Sequence, residues 1–151
     1  MPLKNPSLIV VVDLNVLVSG ATSINGAAWQ VLEAWRDNSF QIAISEIMLT
    51  RLQSVLSYPK ILALTRRKQA DPQQFVVNLR TSALIVSGAR QVSVSNDSED
   101  DTLFACALEA RAKYIVSGDD RHVLSIKDYQ GIKTISPRDF VDGVLAYKKA
   151  A

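Results

Sequence analysis

Short, continuously apolar runs alternate along the chain with stretches whose apolar residues recur every three or four positions. "SLIVVVD", residues 7–13, has the length and continuous apolarity of a buried strand. Residues 26–37 follow with Ala28, Val31, Leu32 and Trp35 at helical spacing. "FQIAIS", 40–45, is a second strand, and Ser45 can cap a helix carrying Met48, Leu52, Val55 and Leu56 on one face. Pro59 interrupts, and "KILALTRRK" forms a short helix. Asp71-Pro72 is a cap followed by a first-turn proline, opening a helix that buries Phe75, Val76, Leu79 and Ala83.

"RQVSVS", 90–95, alternates and is taken as a strand. Residues 98–113 form a helix with Leu103, Ala107 and Ala110 in one stripe. "YIVSGD", 114–119, and "GIKTIS", 131–136, are further strands, and a helix over 137–147 closes the chain. Ser19-Gly20 and Asn25-Gly26 are loop signals. Such alternation predicts a parallel sheet covered by helices on both faces, an α/β fold. Residues 1–6 and 148–151 are expected to be loose ends.

Composition narrows this only slightly. A length of 151 residues suits one domain over 1–151, and 48% hydrophobic with 21% charged residues is ordinary for a globular chain. The single cysteine, Cys106 in "LFACAL", excludes an internal disulfide and a cysteine zinc cluster, and its apolar setting suggests core. The start "MPLKNPS" lacks a secretory pattern and no apolar run could cross a bilayer, so a cytoplasmic protein is expected. The net charge of +2 says little about partners. Arg66, Arg67 and Lys68, with Lys60 nearby, are more informative: the cluster can attract phosphates, or it can be a solvated helix end.

The acids carry the candidate chemistry. Sites on an open parallel sheet form beyond the carboxyl ends of its strands. Asp13 ends the first strand, Asp119 follows "YIVS", and Asp100 and Asp101 open the helix after "QVSVS". Three segments thus bring carboxylates to one edge of the sheet. Crowded carboxylates hold protons more tightly unless a cation lies between them, and oxygen-only ligands favour hard ions such as Mg2+ or Mn2+. Each acid also has a plainer reading as a helix cap. Asp13 could cap a turn from Leu14, Asp119 the segment after it, and Ser98 with Asp101 has capping-box spacing.

Other residues invite structural readings. His122, the only histidine, has no serine or cysteine constellation around it. Trp29, Trp35 and Tyr58 suit packing, and Gly118 suits turn geometry before Asp119.

"VVVDLNVLVSG", "SEIMLTRLQSVLSYPKI", "DSEDDTLFACALEARAKYIVSGDDRHVLSI" and "GIKTISPRDFV" together resemble PIN-domain ribonucleases over nearly the whole chain, in a bacterial branch of toxin components related to VapC toxins. The resemblance implies a three-layer α/β/α sandwich with a central parallel sheet, Mg2+- or Mn2+-dependent endoribonuclease activity, an antitoxin partner and a homodimer. It implies Asp13, Asp100 and Asp119 as catalytic and metal-binding acids. Asn15 would help to hold the first acid and Ser117 would supply a hydroxyl beside the last, with Asp101 and Asp120 as supporting acids.

Two positions depart from the family pattern. Arg51 stands where a helical glutamate is usual, and Glu46 lies roughly 140° away around the helix. Arg121 stands where many relatives have a further aspartate. Arg51 could pair with Asp13 or Asp100, contact an RNA phosphate, or point to solvent. The expected function is a metal-dependent endoribonuclease acting on RNA, with Arg51, Lys60, Arg66, Arg67 and Lys68 as phosphate contacts. The alternative is a degenerate relative that binds RNA or a protein without cleaving. A nucleotide-binding module ranks last, for want of a glycine-rich phosphate loop.

Overall fold

A computed structural model describes residues 7–68, 70–94 and 98–145, with the side chains of 67, 68 and 98 outside that set. Six strands form one sheet in the order β3-β2-β1-β4-β6-β5. They are β1 (Ile9–Val12), β2 (Gln41–Ser45), β3 (Leu84–Val86), β4 (Tyr114–Val116), β5 (Asp128–Tyr129) and β6 (Ile132–Ile135). All neighbours pair in parallel except β5 and β6. The helices are α1 (Leu14–Thr22), α2 (Gly26–Arg36), α3 (Glu46–Leu56), α4 (Pro59–Lys68), α5 (Pro72–Ser82), α6 (Ser98–Ala110) and α7 (Pro137–Asp139), the last continuing as a π-helical segment, Phe140–Leu145. The result is an α/β/α sandwich on a mainly parallel sheet.

Apolar residues decide the central strands. Val10, Val11, Ile42, Ala43, Ile44, Ile115 and Val116 are all buried, as expected for strands with both faces covered. α6 lies against β1, β2, β3 and β4, burying Leu103, Phe104 and Ala107. Ser45 Oγ accepts from the Met48 amide at 3.4 Å, and Asp71 Oδ1 accepts from the Gln74 amide at 3.0 Å with Pro72 in the first turn. Both caps sit where the sequence predicts them. α6 ends at Ala110, earlier than the expected 113, because Arg111 adopts a left-handed φ of 56°.

Three expectations need correcting. The segment after Asp13 is not a loop but α1, and Gly20 lies buried within it. A Cβ there would meet Leu32 Cδ1 at 2.6 Å and the Ala28 carbonyl oxygen at 2.7 Å, so this glycine lets α1 and α2 approach. The strand expected over 90–95 is also absent: 90–94 lie outside the sheet, residue 95 falls outside the described set, and β3 is the three-residue run "LIV" instead. After β3, Gly88 turns the chain at φ 77°, and the Glu109 carboxylate holds the turn by accepting from Ser87 Oγ at 2.7 Å and the Gly88 amide at 2.8 Å. A hairpin precedes β6, with Gln130 and Gly131 both at positive φ, as a two-residue primed turn requires. The final helix begins as expected at Pro137 but passes into the π-helical segment, and 146–147 lie outside the described residues. Cys106 is core, and burial, reinforced by the charge of Glu109, pushes its thiol up to about 12.

Candidate active site

β1 stands between β2 and β4. From β1 the chain builds outward through β2 to β3, then returns to add β4 and β6 on the other side. A crevice opens at such a reversal, beyond the carboxyl ends of the two central strands. Asp13 follows β1 and Ser117 follows β4, and the ladder continues past both strands: the Asp13 amide donates to Val116 O at 2.9 Å and the Ser117 amide to Ile135 O at 3.0 Å.

The helices complete a cleft of about 230 Å3. Asp13, Asn15, Asp100 and Asp119 line it, with Arg51 from α3 and Glu99 from the first turn of α6. Asp100 arrives by a different route from the expected one, since no strand ends just before it. Its position comes from the docking of α6 across the sheet, and it is 8% exposed. Glu99 belongs to the acidic run that opens α6 but was not singled out. Acids there also offset the helix dipole.

The capping alternatives resolve differently for each acid. Asp13 occupies the N-cap position of α1, and its carbonyl accepts from the Val16 and Leu17 amides, but its side chain makes no capping bond. The carboxylate accepts instead from Ser117 Oγ, at 2.7 Å to Oδ2. Asp119 does cap: its Oδ1 accepts from the Arg121 and His122 amides, each at 3.1 Å. Asp101 points to the preceding loop, where its Oδ1 accepts from the Val94 amide at 2.8 Å, and the capping box with Ser98 involves a side chain outside the described residues. Asp101 and Asp120 do not line the cleft.

Ser117 is fully buried and couples the two central acids. While its hydroxyl donates to Asp13, its oxygen accepts from the Asp119 amide at 3.0 Å. Burial raises the proton affinity of Asp13 above the ordinary 3.8, and the nearby charge of Asp119 adds to this. The Ser117 hydrogen bond and the amides of Leu14 and Asn15 work in the opposite direction without reversing it. The Asn15 contribution thus comes from its backbone; its exposed side chain lines the cleft.

Arg51 is half-buried at the cleft and forms no ion pair among the described residues, where the pairs are Arg36–Glu33 and Arg138–Asp142. Of the three readings open for Arg51, pairing with Asp13 or Asp100 is therefore not made. Glu46 starts α3, exposed, and does not line the cleft. Lys60 and Arg66 are exposed on α4 outside the cleft lining, and the side chains of Arg67 and Lys68 fall outside the described set.

The three acids line one cleft without forming a closed cluster. Among the described residues, no three His, Cys, Asp or Glu side chains stand close enough together to hold an ion. Asp119 is drawn toward the amides at 121 and 122, and Asp100 belongs to the helix docked across the sheet. Gly118 departs from expectation too. Its φ is not left-handed, and a Cβ there would meet nothing within 4 Å.

Residues 9–121 match the PIN domain family. The chain belongs to that family. No curated protein matches it in sequence. Among solved structures, this PIN domain is similar to a chain of VapBC2 from Rickettsia felis, in a crystal structure bound to a DNA fragment from the promoter. The TM-score is 0.56 and the identity 16%, over 85% of this chain and 98% of that one, a likeness of fold. Among the described residues, no helix of the PIN domain is long and apolar enough to cross a membrane.

Proposed function

We propose that this PIN domain is a metal-dependent endoribonuclease. One observation carries the reading: Asp13, Asp100 and Asp119, from three separate segments, line one cleft at the reversal point of the sheet. Oxygen-only donors suit a hard divalent ion, and magnesium keeps several of its own waters, so it needs few direct carboxylate contacts. Such an ion, Mg2+ or Mn2+, would be held by Asp13 with Asp100 and Asp119, and would supply Lewis acidity toward a phosphodiester.

The chain's own residues do the rest. Ser117 fixes the orientation of Asp13 and shares its charge through one short hydrogen bond. Burial keeps Asp13 prone to hold a proton until a cation offsets the cost. Asp119 is fixed by two backbone amides, so it need not reorganise when a substrate arrives. Arg51 can meet a phosphate oxygen, with Lys60 and Arg66–Lys68 as outlying attraction for the backbone.

The likeness to a VapBC2 chain supports a further reading of this chain as the toxin of a toxin–antitoxin pair, with an antitoxin protein as partner. Self-association as a dimer and action in the cytoplasm belong to the same reading.

Incubating structured and unstructured RNA with Mn2+ or Mg2+, beside Asp13→Asn, tests the enzyme. Cleavage by the wild type and its loss in the variant are expected. Equal inertness of both, with RNA still bound, would favour the second reading, a degenerate binder. Arg51 in the cleft supports that alternative.

A further inference from the structure

Asp13 and Asp119 border two depressions. A second space of about 460 Å3 adjoins the acid cleft at these residues. Its lining adds Ser19 from α1, Ala28 from α2, Gly118 from the turn after β4, and Pro137. Asp13, Asn15 and Asp119 line both spaces, which therefore meet at these residues.

The two sides differ in chemistry. Arg51 gives the first a cation with no ion pair of its own among the described residues. Among the described residues, the second has no basic residue in its lining. A phosphate beside carboxylates needs a cation nearby, so it belongs on the Arg51 side. Apart from the two shared acids, the other side offers small uncharged surfaces, with the Ser19 hydroxyl and the Asn15 amide as hydrogen-bonding groups.

Gly118 strengthens the distinction. Gly20 is needed for helix packing, and Gly88 for a left-handed turn close to Ser45. Gly118 answers neither demand: its φ is ordinary and the space beside it is open. Its lack of a side chain leaves room next to the acids that no other part of the described chain occupies.

We propose that this second depression is a nucleoside subsite. It takes the sugar and base on one side of the scissile phosphate, while the Arg51 cleft takes a phosphate on the other. Single-stranded RNA then passes Asp13 and Asp119 and continues in both directions, which makes the cut internal. The inference rests on the ribonuclease reading and adds to it the path of the strand.

The test titrates a fluorescein-labelled single-stranded oligoribonucleotide into the full chain in EDTA, by anisotropy, at several salt concentrations. Gly118→Leu and Ser19→Leu, which fill the space from two different elements, are each expected to weaken binding about tenfold. The slope of log Kd against log salt should not change, because no phosphate contact is lost. Arg51→Gln should weaken binding and flatten that slope by about 0.7. Gly118→Ala should bind like the wild type.

Leucine variants that bind as tightly as the wild type overturn the subsite, as does a flattened slope for Gly118→Leu. If Gly118→Leu lowers the thermal midpoint, Ser19→Leu alone decides. A wild type that binds no RNA in EDTA is titrated again with Ca2+, and if it still binds none, both the subsite and the ribonuclease reading fall. A wild type that binds RNA but does not cleave it with Mn2+ sinks only the ribonuclease reading, and the leucine variants still judge the subsite.

Discussion

The hydroxyl of Ser117 donates to Asp13 Oδ2 at 2.7 Å, and so ties the end of β4 to the acid that ends β1. Because Ser117 is fully buried, no water can replace the bond easily. Ser117→Ala should cost about 1–3 kcal/mol of stability, the usual range for leaving a buried polar partner unsatisfied. It should also raise the proton affinity of Asp13 further. Urea unfolding checks the first effect, and a shift of the acid limb of any pH–rate profile to higher pH checks the second.

Asp13 makes stability depend on pH in a defined direction. Its folded-state proton affinity is raised by burial first, then by Asp119. The folded chain therefore binds this proton more tightly than the unfolded chain does. The contribution is fully present below 3.8 and is lost as pH rises through the folded value. Asp13→Asn removes the buried charge. It should unfold at higher urea than the wild type at pH 7, with the difference shrinking as pH falls toward 3.8. A difference of constant size across that range would contradict the assignment.

Asp119 caps a turn and faces the cleft at once. These roles separate by substitution. Asparagine caps about as well as aspartate, whereas alanine loses roughly 1 kcal/mol. Asp119→Asn should keep the thermal midpoint and lose RNA cleavage, while Asp119→Ala should lose both. Differential scanning calorimetry and a cleavage gel give the two readouts.

Gly20 has no room for a side chain against the Ala28 carbonyl. Gly20→Val should cost about 1–3 kcal/mol by overpacking the contact between α1 and α2. Chemical denaturation measures it, and a cost near zero would mean that the two helices part easily.

Arg51→Glu replaces the cation of the cleft with a carboxylate. Titration calorimetry should find tighter Mn2+ binding than in the wild type, because another hard oxygen donor joins the acids. Unchanged affinity would mean that position 51 does not face the ion.

Much of this arrangement was legible in the sequence. β1 and β4 are continuous apolar runs, and their ends announce Asp13 and Asp119. The helical stripes at Val31–Leu32–Trp35 and Phe75–Val76–Leu79 are equally plain, and Trp35 and Phe75 meet edge to face at 6.1 Å. α1 was hidden because a glycine required by packing looks, in sequence, like a glycine required by a turn. β3 was hidden by its length of three residues, while the alternating "QVSVS" imitated a strand without a partner in the sheet. The cleft could be anticipated because its acids follow strands and open a helix. The second depression could not, since Ser19, Ala28, Gly118 and Pro137 come from separate segments and none carries a charge.

The outermost strands, β3 and β5, are only three and two residues long. Rims so truncated expose few unpaired backbone groups to a neighbouring molecule. Strand addition is thus a poor route for joining one copy to another, and fibril-like stacking of native sheets is disfavoured. The helical exterior, where exposed Leu64 and Val77 lie, offers more surface for a quaternary contact than these rims do.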